Sequence, residues 1–132
     1  TPLYGSQMNR NDKTILVVDD HQETLYMLSR ALAVGGYSVL WARDAADALM
    51  MLERHQGVVD MMLVDVVLPG TSGPELVEQA TRTHPGIRAL YISAYDEETV
   101  RGHGVDPEEV PFVAKPYEPG DLVDRVNEVL LA

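Results

Sequence analysis

No cysteine occurs among the 132 residues, so disulfide bonds and thiolate zinc sites are both excluded. Basic residues are scarce: ten Lys and Arg stand against 21 Asp and Glu, a formal net charge of −11. An acidic surface of this kind argues against nucleic-acid binding and leaves protein partners or a cation-assisted small anion. No apolar run approaches the roughly 18–20 residues needed to span a bilayer, and no secretory signal peptide is visible. The compartment to expect is the cytoplasm, without membrane contact. A Gly-x-x-x-x-Gly-Lys-Ser/Thr loop is also missing, which excludes a nucleotide-binding P-loop.

The chain is long enough to bury one proper core. Residues 1–12 have no hydrophobic periodicity, begin without Met and carry the polar Asn9-Arg10-Asn11-Asp12. They are expected to be an expression remnant or a linker, with the folded domain over 13–132. No internal repeat or low-complexity segment interrupts that domain.

Within it, strand and helix patterns alternate. Strands are expected at about 14–18, 38–41, 60–64, 87–92 and 111–114. The third is an almost unbroken apolar run, as a strand buried on both faces requires. Leu25, Leu28 and Leu32 have helical spacing and stop at Gly35-Gly36. Asp44 suits an N-cap, with Asp47 three residues on, opening a helix that ends near Gly57. Pro69-Gly70-Thr71-Ser72-Gly73 is expected to be a loop, with Pro74 in the first turn of a third helix that ends before Pro85-Gly86. Asp96 to Val100 allows a turn or two of helix, which Gly102, Gly104 and Pro107 then oppose. A last helix begins near Pro119 and uses Leu122, Val123, Val126, Val129 and Leu130. Five strands alternating with helices over short connections imply a three-layer α/β/α sandwich.

Four of the apolar runs end on polar residues. The first leads into Asp19-Asp20, the third into Asp65, the fourth into Ser93 and the fifth into Lys115-Pro116. In an open parallel sheet, ligands bind just beyond the carboxyl ends of the strands. Three carboxylates, a hydroxyl and an ammonium would therefore meet at one edge, an inventory suited to a divalent cation and a phosphoryl group. Like charges some 4 Å apart repel by about 4 kcal/mol at an effective dielectric near 20. Three bare acids would thus need Lys115 or a bound cation. Singly, each residue has an ordinary explanation: a helix cap for Asp19 or Asp20, a loop acid for Asp65, a surface or capping role for Ser93 and Lys115. Their joint placement at strand ends outweighs these. An aspartyl-nucleophile phosphohydrolase would need Asp-x-Asp after the first strand, and the acids here are adjacent. The four His (21, 55, 84 and 103) have no metal-ligand spacing and are expected on the surface.

Val17-Val18-Asp19-Asp20, Asp65-Val66-Val67-Leu68-Pro69-Gly70-Thr71-Ser72-Gly73, Ser93-Ala94-Tyr95 and Lys115-Pro116-Tyr117 together resemble the receiver domain of two-component response regulators. The resemblance covers essentially all of residues 13–132. It implies a flavodoxin-like five-stranded parallel sheet of order 2-1-3-4-5. It also implies that Asp65 is the phosphoacceptor, attacking the phosphohistidine of a histidine kinase or histidine phosphotransfer domain. Asp19, Asp20, Asp65 and the backbone carbonyl of Val67 would hold Mg²⁺, with Asp19 acting through water. Lys115 would pair with the phosphoryl oxygens. Ser93 would hydrogen-bond the attached group and Phe112 would follow it as the switch aromatic, although an ordinary core role also suits Phe112. The Lys115-Pro116 bond is cis in many relatives. Such a domain is a signalling phosphoacceptor, not a turnover enzyme, apart from promoting its own phosphorylation and dephosphorylation. A docking module that works without phosphorylation is the rival reading.

Two regions depart from the best-known single-domain receivers. Val67 is apolar and Tyr95 is bulky, and neither positions a hydrolytic water. A long-lived phosphoryl group is expected as a result. The Arg101-Gly102-His103-Gly104 stretch implies a short or irregular fourth helix, similar to receivers fused to hybrid sensor histidine kinases.

Overall fold

The apolar runs become the strands of a sheet buried on both faces. In this computed structural model, which describes residues 13–131, β1 (Thr14–Val18) and β3 (Met61–Asp65) form its centre. The expectation for residues 1–12 lies outside the described residues. β2 (Ser38–Ala42), β6 (Arg88–Ser93) and β7 (Phe112–Ala114) complete the sheet in the order β2-β1-β3-β6-β7, with every pairing parallel. Counting only these five strands, the order is the 2-1-3-4-5 that the resemblance implies.

Successive side chains on a strand point to opposite faces, and two core layers result. Leu16, Val18, Met62 and Val64 pack with Leu52 of α2 (Ala45–Arg54) and Leu76 and Ala80 of α3 (Gly73–Thr83). Ile15, Val17, Met61 and Leu63 face the other way, against Leu25, Leu28 and Leu32 of α1 (Gln22–Val34) and Leu122, Val126 and Leu130 of α5 (Pro119–Leu131). The three-layer sandwich follows from this alternation.

Local signals set most boundaries where the sequence places them. α1 ends at Gly35, and Gly36 takes a φ of +99°. The Asp44 carboxylate accepts the Asp47 N–H at 2.8 Å and caps α2. α4 (Glu97–Gly102) has six residues, as short as expected. Its position is fixed by the buried Val100 and Val105, and by Arg101, which reaches Asp106 at 3.5 Å and Glu108 at 3.2 Å.

The stretch expected to be a plain loop carries more structure. β4 (Val67–Leu68) and β5 (Thr71–Ser72) form a small antiparallel ladder around Pro69-Gly70, where Gly70 has a φ of +73°. Gly73 follows immediately, and its N–H donates to the Val66 carbonyl at 2.8 Å. A Cβ at Gly73 would lie 2.5 Å from the Asp65 carbonyl oxygen, too close for any side chain without backbone movement. Gly73→Ala is therefore expected to cost about 1–3 kcal/mol in urea unfolding, whereas Gly86→Ala, in open space, should cost far less. Equal midpoints for the two variants would show that Gly73 is not needed for this close packing.

Candidate functional site

Parallel pairing with short connections brings the polar strand ends to one edge. Backbone hydrogen bonds hold them there: Asp19 N–H donates to the Ala42 carbonyl at 3.2 Å, Val66 N–H to Ile92 at 3.1 Å and Lys115 N–H to Ser93 at 2.9 Å. The Lys115-Pro116 peptide is cis. Asp19, Asp65 and Ser93 are buried, the only polar or charged residues in that class among those described.

The Lys115 ammonium joins two of the acids, with Nζ 3.0 Å from Asp19 Oδ2 and 3.5 Å from Asp65 Oδ2. The remaining oxygens accept backbone donors. Asp19 Oδ1 takes the His21 N–H at 2.9 Å, and Asp65 Oδ1 takes the Val67 N–H at 3.1 Å. Ser93 Oγ accepts the Tyr95 N–H at 3.1 Å. Asp20, in contrast, reaches out to solvent. Phe112, half-buried, sits opposite Tyr91 on β6 and packs against the α2–α3 core layer. Val67 lies in β4, two residues from Asp65.

His21 was not singled out by its sequence spacing. It is exposed, as expected of the four His, yet its Nδ1 lies 3.2 Å from Asp19 and 3.3 Å from Asp20. Asp19, Asp20, His21 and Asp65 each offer a ligand atom, all within 4.8 Å of one another. Adjacency to Asp19-Asp20 at a strand end was the available signal. Three carboxylates against one ammonium leave an excess of hard, negatively charged oxygen, which suits a hard divalent cation.

Burial is the main force on Asp65, raising its carboxyl from the usual 3.8 to about 6. The Asp19 charge pushes the same way, while the Val67 N–H and the Lys115 ammonium oppose it. The isolated site thus resists holding its full negative charge.

The chain belongs to the response regulator receiver domain family, whose model matches residues 15–127. It is similar to the sensor kinase CckA of Brucella abortus, 32% identical over 130 residues, covering 98% of this chain and 13% of that protein. It is also similar to the phosphate regulon transcriptional regulatory protein PhoB of Pseudomonas aeruginosa, 33% identical over 120 residues, covering 89% of this chain and 52% of that protein. The chain thus spans about half or less of the length of these two relatives. Among solved structures, a CheY-like receiver from Methanospirillum hungatei superposes with a TM-score of 0.76 at 29% identity, covering 89% of this chain and 93% of that one. The receiver of the hybrid histidine kinase CckA gives 0.71 at 30% identity, covering 89% and 98%. The chain is accordingly a receiver domain of two-component signalling, related to phosphorylated receivers.

The raised Asp65 carboxyl has a consequence for stability. In metal-free protein the ionised form is penalised by the fold, so this group's contribution falls as pH rises from about 4 to about 6. Asp65→Asn is expected to stabilise the metal-free protein at about pH 7.5 by up to roughly 3 kcal/mol, with little gain near pH 4. Urea unfolding at the two pH values checks this. A variant equally stable or less stable than the parent at neutral pH would contradict it.

Proposed function

We propose that Asp65 is the phosphoacceptor of this receiver. A carboxylate oxygen of Asp65 attacks the phosphorus of a phosphohistidine, the P–N bond breaks, and an acyl phosphate forms on Asp65 while the histidine keeps the electron pair. The observation that carries this reading is the Lys115 ammonium within reach of both Asp19 and Asp65 at the sheet edge. There it can pair with oxygens of a group arriving on Asp65. Asp20, Asp65 and the Val67 carbonyl would hold Mg²⁺ directly and Asp19 through water, the ion supplying charge neutralisation for the phosphoryl oxygens.

Once the group is attached, Ser93 donates its hydroxyl hydrogen to a phosphoryl oxygen and Phe112 turns inward behind it. The state of the site then passes to the face formed by β6, β7 and α4. The donor is a histidine kinase or a histidine phosphotransfer domain, and the likeness to CckA supports membership of a hybrid kinase. We place this exchange in the cytoplasm, without nucleic-acid contact by the domain. No helix among the described residues is long and apolar enough to cross a membrane. The docking rival gives no reason for Lys115 to be shared between two buried acids.

Val67 and Tyr95 bear on persistence. Tyr95 is exposed beside the site and Val67 offers no polar group to orient water, so hydrolysis of the acyl phosphate is slow. Incubation with acetyl phosphate and Mg²⁺, followed by intact mass, should show one added phosphoryl group that Asp65→Ala abolishes. Its decay after donor removal should take minutes or longer. A folded parent that gains no mass from acetyl phosphate or from a phosphorylated histidine kinase would overturn the phosphoacceptor reading. Decay within seconds would overturn the slow-hydrolysis reading alone.

A further inference from the structure

Next to the acidic edge lies a cavity of about 380 Å³ between α1 and the edge strand β2, lined by Gln22, Leu25, Tyr26, Ser29, Trp41 and Arg43. That volume falls in the range of small-molecule sites. Gln22, Tyr26 and Ser29 follow at helical spacing along one stripe of α1. Trp41 and Arg43, two residues apart, supply the wall from the β2 side.

Two features of this lining are not explained by the fold. Tyr26 and Trp41 are 65% and 58% exposed, so neither aromatic side chain is spent on the core. Arg43 takes part in none of the ion pairs among the described residues, although the chain has 21 acids for ten basic residues. An apolar docking surface would use the rings but not the guanidinium.

We propose that this cavity binds a small aromatic anion, a planar ring bearing a phosphate or a carboxylate. The ring lies against Tyr26 and Trp41, the anionic group pairs with the Arg43 guanidinium, and the Gln22 amide bonds polar atoms of the ring or its substituents. Gln22 directly follows His21, and the Ala42 carbonyl next to Arg43 receives the Asp19 N–H at 3.2 Å. A ligand here is therefore a near neighbour of the phosphoacceptor cluster, held by separate residues.

Trp41 is the only tryptophan, so its fluorescence reports on this cavity. The whole chain would be titrated in metal-free buffer with guanosine 5′-monophosphate and, separately, with 4-hydroxybenzoate, reading Trp41 emission and calorimetric heat. We expect at least one probe to bind saturably, Arg43→Gln to weaken it by about tenfold or more, and Gln22→Ala to weaken it several-fold with unchanged circular dichroism. Saturation by the nucleotide alone assigns the phosphate form, and saturation by the benzoate alone the carboxylate form. Absence of saturation by either probe into the millimolar range overturns the proposal. So does an affinity that Arg43→Gln leaves unchanged.

Discussion

A single ammonium, shared between two buried carboxylates, sets the character of this domain. Lys115 reaches Asp19 at 3.0 Å and Asp65 at 3.5 Å across the carboxyl edge of the sheet. Removing a charged group from water costs several kcal/mol unless partners replace the solvent. Asp19 obtains its replacement from Lys115 and the His21 N–H. Asp65 obtains less, from the Val67 N–H and the longer Lys115 contact, and its carboxyl moves up to about 6. The site is built to hold these acids together, yet leaves them short of positive charge.

That imbalance joins fold to function. Parallel pairing places the ends of β1, β3, β6 and β7 at one edge, and the register fixes Asp65 and Ser93 on neighbouring strands. The turn around Pro69-Gly70 and the close approach of Gly73 to the Asp65 carbonyl hold the segment after Asp65. In the proposed function, a divalent cation would supply the positive charge that one lysine leaves short, and would so let an anionic phosphoryl group join Asp65. Family membership and the geometry of this edge are consistent with the proposed chemistry.

Much of this was legible in the residues. The buried strands announced themselves as apolar runs, because a strand covered on both faces cannot alternate with polar residues. The Asp44 cap and the short α4 were visible because capping and glycine act through local chemistry. The acids, Ser93 and Lys115 were visible because each ends a strand. The β4–β5 ladder was not, since two-residue strands carry no periodicity. Nor was the approach of His21 to Asp19 and Asp20, which depends on how the chain turns into α1. The wall made by Trp41 and Arg43 arises only when α1 packs against β2.

Carbon-13 NMR of the Asp65 side-chain carboxyl, titrated with and without Mg²⁺, puts the charge imbalance to the test. Without the ion, the carboxyl should titrate near 6, well above an ordinary aspartate. With saturating Mg²⁺ it should stay ionised through that range, because a bound dication favours the charged form. An ordinary midpoint near 4, unmoved by Mg²⁺, would contradict an acid cluster in need of positive charge.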